Sequence, residues 1–274
     1  MKRMCLSVRE FRLCIIFLVL VFYGCSSGGG TGSGQGQATP SIYLPYLYSS
    51  VESIAVNVAY EPDAEPYAGT SPVVSGFEYW SLLDVNLKAL FALRANKPEI
   101  TVPKELSEMK KIQQIGRKSW TVSQIVGLAN DVWDLSETRE SAEYYVLFLN
   151  GYYNDQKAVQ ELVIGISLGD VPIIAIFKDV ITDSRYAPFD GALMEQGTLV
   201  HEFGHCMGLV DNGVPMITDH QDQEYKCHCR NSNCVMSWQY NNGDMMAFSQ
   251  QFIDTGSVLM YCYECLADTA DYNP

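Results

Sequence analysis

Residues 201–205 read His-Glu-Phe-Gly-His. On a helix, residues four apart lie one turn apart on one face, so two imidazoles at that spacing can grip one Zn²⁺. Glu202 stands beside the first of them, where its carboxylate can reach a water held by the metal. The chemistry this pattern serves is metal-assisted hydrolysis, with Glu202 as the general base. The chain has only four histidines, and His201, His205, His220 and His228 all fall between residues 201 and 228. Such clustering favours a shared site over scattered surface positions.

Gly208 follows His205 by three residues. A glycine there can take the left-handed conformation that ends a helix and turns the chain back beneath it. The extended run His201-Glu-Phe-Gly-His205-Cys-Met-Gly208 resembles the metzincin zinc peptidases. That resemblance implies a third ligand three residues past the glycine, where Asp211 stands. Residues 228–236, His-Cys-Arg-Asn-Ser-Asn-Cys-Val-Met, resemble the archaemetzincins more closely. In that family the third histidine is followed at once by Cys, then by a second Cys and a Met. His228 is then the ligand, and about seventeen extra residues between Asp211 and Cys227 are a surface insertion. His220, within that stretch, is a further candidate. Neutral imidazole is the commoner zinc ligand, and Asp211-Asn-Gly is also an ordinary turn signal, so His228 is favoured and Asp211 and His220 remain alternatives. The resemblance places Met236 in the Met-turn under the metal. Met207, Met245 and Met246 read as core. Tyr240 is a candidate to stabilise an oxyanion, although an exposed Tyr is the plainer reading.

Six of the nine cysteines lie beyond residue 200: Cys206, Cys227, Cys229, Cys234, Cys262 and Cys265. Cys262-Tyr-Glu-Cys265 has the spacing of half a zinc knuckle. The archaemetzincin resemblance implies that Cys229, Cys234, Cys262 and Cys265 hold a second, structural zinc. Disulfides are the rival expectation for an exported protein. Cys206 and Cys227 fall outside that set, either bonded to each other or simply buried.

These groups need elements to hold them. Residues 194–207 read as the helix carrying the histidines. Residues 52–60 alternate like a strand, 144–149 form an apolar run suited to a central strand ended by Asn150-Gly151, and 162–167 and 172–177 suggest a hairpin. By the resemblance, that hairpin is the candidate to pair with an extended substrate. Residues 79–94 place Trp80, Leu83, Leu87, Leu90, Phe91 and Leu93 mostly on one helical face. Thr121 and Gln124 are spaced as a capping box. The expected fold is α/β (α+β): a metzincin-like domain with a twisted mixed sheet, a zinc-bearing helix and a Cys-rich C-terminal subdomain.

The first 24 residues read as an export signal, with Lys2 and Arg3 ahead of an apolar run from Leu13 to Tyr23. Gly24-Cys25 at its end resembles a bacterial lipoprotein signal, which implies lipidation of Cys25 and attachment to a membrane of the cell envelope, periplasmic or surface-exposed. Residues 25–40 form a tether rich in Gly and Ser, and residues 41–274 form the peptidase domain. Eighteen Lys+Arg against 32 Asp+Glu give a formal charge of −14, with no basic patch for nucleic acid. Hydrophobic residues at 47% exclude a wholly disordered chain. The partners expected are a peptide or protein substrate and the membrane. The activity expected is that of a zinc-dependent endopeptidase, or of an amidase on cell-wall peptides. The alternative is a non-catalytic surface lipoprotein that binds a glycan or protein partner, with a structural or vestigial zinc site.

Overall fold

A computed structural model describes residues 44–71, 77–133, 135, 141–169, 171–183, 191–238 and 258–274. Cys25, the expected signal and tether, Tyr240, Met245 and Met246 lie outside these residues.

The core is built on strand β5 (Ser141–Leu149), whose last six residues, Tyr144 to Leu149, are all buried. A strand buried on both faces must lie inside a sheet and be covered on both sides, as its uninterrupted apolar run requires. Strand β1 (Ser53–Tyr60) and strand β9 (Val171–Phe177) flank it, both parallel to it. Short strands β2 (Glu99–Thr101) and β3 (Lys110–Lys111) pair with the two ends of β1. Strand β8 (Gly165–Leu168) adds antiparallel to β9 and forms the edge of the sheet. The 162–178 hairpin is therefore present, but its first strand begins at Gly165, because residues 161–164 form a turn and irregular chain first. A second, small sheet joins β4 (Ser119–Trp120), β6 (Tyr152–Asn154) and β7 (Val159–Gln160).

Helices cover the large sheet. After the short α1 (Leu44–Ser49), helix α2 (Ser81–Phe91) buries Leu82, Leu83, Leu87, Leu90 and Phe91. Leu93, expected on the same face, is 79% exposed because the helix has ended before it. Helix α3 (Val122–Val132) starts at Thr121, whose backbone N–H donates to Gln124 Oε1 at 3.0 Å in the capping box. A short α4 (Lys178–Thr182) follows β9, and α5 (Gly191–Cys206) then packs on β8, β9 and α2. All but one of the residues from Ala192 to Cys206 are buried, so α5 is a core helix and not a surface helix with one apolar stripe. Helix α6 (Tyr263–Asp271) closes the described chain. Arg94 holds its C-terminal end, donating to the carbonyls of Tyr272 and Thr269 and, on the other side, to Tyr48. A guanidinium there satisfies carbonyls that a helix end leaves open. The whole is a mixed α/β fold with a Cys-rich C-terminal region. None of the helices among the described residues is long and apolar enough to cross a membrane.

One ion pair lies inside this core. Lys178 Nζ donates to Glu195 Oε2, with both side chains buried, and Lys178 Nζ also sits 3.9 Å from the Tyr67 ring centroid. Glu195 Oε1 accepts the Tyr67 N–H at 2.8 Å. Burial pushes the Glu195 carboxyl up to about 7, against the downward pull of Lys178. Removing one partner strands the other, so Lys178→Met is expected to cost about 3–5 kcal/mol in urea unfolding. The double replacement Lys178→Met/Glu195→Leu is expected to recover much of that loss. An equal loss in both proteins would show that the pair itself is not what is being broken.

Candidate metal centre

Helix periodicity sets His201 and His205 on one face of α5, with their Nε2 atoms 3.1 Å apart. The third imidazole comes from outside the helix. His228 lies with its ring centroid 5.2 Å from that of His201 and 5.0 Å from that of His205. One ligand nitrogen from each ring falls within 4.8 Å of the others. Tetrahedral zinc with Zn–N bonds of about 2.0–2.1 Å separates its nitrogens by roughly 3.3 Å, so the rings need only small shifts to share an ion.

The ring orientations agree with that use. His201 Nδ1 donates to the Val235 carbonyl at 2.6 Å, and His228 Nδ1 donates to the Lys226 carbonyl at 2.9 Å. Each bond places the proton on Nδ1 and leaves Nε2 bare, which is the tautomer a metal requires. Burial drives His201 down to about 4 and His228 down to about 3, and it drives His205 well below the usual imidazole range. Three neutral, convergent imidazoles, His201 and His228 buried and His205 partly so, form a donor set for a cation such as zinc.

Glu202 is buried on the next position of α5. Burial pushes its carboxyl up to about 7, offset by hydrogen bonds from the hydroxyl and backbone N–H of Ser167 on the edge strand β8. A carboxyl with a pKa near neutrality can both take and return a proton. Ser167 carries no motif, and only the packing of α5 on β8 reveals it.

The chain reaches His228 through a tightly turned segment. Leu209 N–H donates to Gly204 O and Gly208 N–H to His205 O, both at 3.0 Å, and Gly208 has φ +78°. These are the two bonds of a Schellman cap, with glycine in the left-handed position. Val210 and Asp211 follow, also left-handed, at φ 56° and 60°. Asp211 is exposed and outside the imidazole group. The inserted residues are fastened at their base: Asn212 Nδ2 donates to His205 O, Gln221 Nε2 to Val210 O, and Asp222 N–H to His228 O. His220 is also outside that group. It lies against the cysteines, with Nδ1 3.3 Å from Cys229 Sγ.

Beneath α5 runs the turn carrying Met236. A Cβ at Gly204 would lie 2.2 Å from Met236 Sδ, so the sulfur occupies the space a side chain would need. Val235, next to it, supplies the carbonyl that orients His201. The turn is held from below: Met260 O accepts the Val235 N–H, and Met260 N–H donates to buried Asn86 Oδ1 on α2.

The four cysteines Cys229, Cys234, Cys262 and Cys265 cluster as thiols. Their sulfurs are 3.7 Å apart for Cys229–Cys262, 3.6 Å for Cys234–Cys265 and 3.6 Å for Cys262–Cys265. A disulfide would bring two sulfurs to about 2.05 Å. Tetrahedral Zn–S bonds of about 2.3 Å place sulfurs roughly 3.8 Å apart, close to these values. His220, Cys229, Cys262 and Cys265 also form a group whose ligand atoms lie within 4.8 Å of one another. Cys206 and Cys227 are buried and not joined to each other.

No protein-family model and no curated protein matches the chain. Among solved structures it is similar to a zinc-dependent peptidase from Methanocorpusculum labreanum, at 13% identity and a TM-score of 0.42, over 78% of this chain and 99% of that one. A likeness of that size assigns no activity to this chain.

The close approach at Gly204 reverses the usual effect of a helix glycine. Gly→Ala within a helix ordinarily stabilises by about 1 kcal/mol. Here Gly204→Ala is expected to destabilise by about 1–3 kcal/mol, through overpacking against Met236. Thermal unfolding measures this, and a rise in melting temperature would mean that the turn does not press on the helix.

Proposed function

We propose that this protein is a zinc-dependent endopeptidase. The observation that carries the reading is the convergence of His201, His205 and His228, with the buried carboxyl of Glu202 next to His201 on the same helix. These three imidazoles would hold the catalytic zinc, which when bound supplies Lewis acidity, lowering the pKa of a water and polarising the scissile carbonyl. Glu202 takes the proton from the attacking water and returns it to the leaving amine. Ser167 holds that carboxyl toward the site while it is ionised. Strand β8, the edge of the sheet among the described residues, would receive an extended peptide as an added strand, a recognition mode that selects a strand-like substrate. A purely structural metal site has no need of a buried carboxyl between two of its ligands, and this favours the enzyme over a binding lipoprotein.

Cys229, Cys234, Cys262 and Cys265 would hold a second zinc as four thiolates. Their sulfur separations fit a tetrahedral ion and exceed a covalent S–S bond. Export, lipidation of Cys25 and residence in the bacterial cell envelope belong to the same proposal. They rest on the N-terminal residues alone.

Two experiments test it. Elemental analysis of protein from Ser41 onward is expected to find two zinc atoms per chain, falling to one in His228→Ala and staying at two in Asp211→Ala. Loss of zinc in Asp211→Ala with retention in His228→Ala would reverse the ligand assignment. Peptide cleavage by Glu202→Gln is expected to fall by about 10²–10⁴-fold with zinc retained. Cleavage at the wild-type rate would remove Glu202 as the base.

A further inference from the structure

We propose that His220 is a positioning residue of the thiolate cluster: an N–H···S donor, clamped by Asp268, that fixes Cys229 and slows release of the metal held there. This inference rests on the second-zinc reading above.

The geometry is a chain of buried polar contacts. His220 Nε2 donates to Asp268 Oδ2 at 2.7 Å, and Asp268 Oδ1 accepts the Ile217 N–H at 2.8 Å. Both carboxylate oxygens are thereby engaged, and Asp268 is 1% exposed. The other ring nitrogen, Nδ1, faces Cys229 Sγ at 3.3 Å. His220 is itself fastened, since its carbonyl accepts the Arg230 N–H at 2.9 Å. The ring therefore has one fixed orientation, and that orientation aims a nitrogen at sulfur.

The need for such a donor follows from charge. Four thiolates around Zn²⁺ leave a formal charge of −2 in a buried place, which is costly unless the sulfurs accept hydrogen bonds. Backbone groups supply part of this: Asn231 N–H donates to Cys229 Sγ at 3.4 Å and Cys262 N–H to Cys234 Sγ at 3.3 Å. His220, as an imidazolium paired with the Asp268 carboxylate, adds a side-chain donor to Cys229. Three of the six sulfur separations, at 3.6–3.7 Å, match the edges of a tetrahedron, and with Cys234 as the fourth ligand the imidazole stands outside the first ring of ligands. Its partner Asp268 stands one turn after Cys265 on α6, on the same helical face. His220 thus ties Cys229, in the turn after the insertion, to the helix that carries Cys262-x-x-Cys265.

The test uses Co²⁺ loaded into the protein from Ser41 onward. Only thiolate ligands give the sulfur-to-cobalt charge-transfer absorption, so the band reports this cluster and is blind to the imidazole site. Release to excess EDTA is followed for wild type, His220→Gln, Asp268→Asn and a control in the same loop, Glu224→Gln. His220→Gln can still reach Asp268 but lacks the nitrogen facing Cys229, which guards against simple unfolding. The expected result is an unchanged band position in every protein, with release about 10–100-fold faster in His220→Gln, faster in Asp268→Asn, and unchanged in Glu224→Gln. Equal release in His220→Gln and wild type overturns the proposal while leaving the second metal in place. A band of altered intensity in His220→Gln, together with a wild-type band in Cys234→Ser, would make His220 a ligand in place of Cys234 and also overturn it. No charge-transfer band in wild type would remove the second-metal reading itself, and this one with it.

Discussion

The contact between Met236 and Gly204 is the constraint on which the rest of the site depends. A helix that must lie directly on a turn of the chain has no room for a side chain at the point of contact, and the sulfur of Met236 fills the place of the missing Cβ. That approach brings the Val235 carbonyl within hydrogen-bonding reach of His201 Nδ1 and sets the ring's tautomer. The turn does not hold itself in place. Met260 bonds Val235, Asn86 bonds Met260, and Tyr261 Oη donates to the Val200 carbonyl at 2.7 Å. The orientation of one imidazole is therefore traceable through the turn to a buried asparagine on a different helix. A hydrogen bond to one ring nitrogen fixes the tautomer and ring direction with which the other nitrogen can meet a metal.

Adjacent residues serve different sites. His228 points to the imidazole group and Cys229 to the cysteine cluster, while the backbone of Cys229 bridges both Gln221 and Ser237. His228 lies in a bend after the left-handed Cys227, and Cys229 pairs with Gln221 and Ser237, so the turn divides the two neighbours between separate clusters. The consequence is mechanical coupling: whatever anchors Cys229 also anchors His228. Between α5 and α6 the described chain has no regular helix or strand of its own. Its order comes from side-chain bonds, from the buried turn and from the cysteine cluster. A metal there would act as a cross-link in a region too poor in regular structure to bury a core by itself.

The electrostatics of the two clusters are opposite in kind. The imidazoles are neutral because burial makes their cationic forms costly, which suits an open position for a reacting water. The cysteine cluster gathers backbone N–H donors from Asn231 and Cys262 and faces His220 Nδ1, which would suit a closed site of high negative charge. Glu202 lies on the side of α5 that meets the edge strand, so under the proposed function the proton acceptor and the surface receiving a peptide would be built from one packing contact.

Much of this was legible in the amino-acid order because it is local. The spacing of His201 and His205, the glycine that ends their helix, the Thr121–Gln124 box and the apolar run of β5 are each decided within a few residues by helix or strand periodicity. The residues that complete the site are not local. Ligand chemistry and the resemblance favour His228, but Asp211 and His220 remain alternatives while the path of the insertion is open, because the entropy of closing a loop varies only slowly with its length. Tertiary contacts chose: Asn212 and Gln221 bond the end of α5, His220 is drawn to Asp268, and His228 is left facing the imidazole pair. Ser167, Asn86 and Asp268 carry no pattern that marks them, since each acquires its role from a partner far away in the chain. Local sequence determined which groups could do chemistry, and packing between distant segments decided which of them meet.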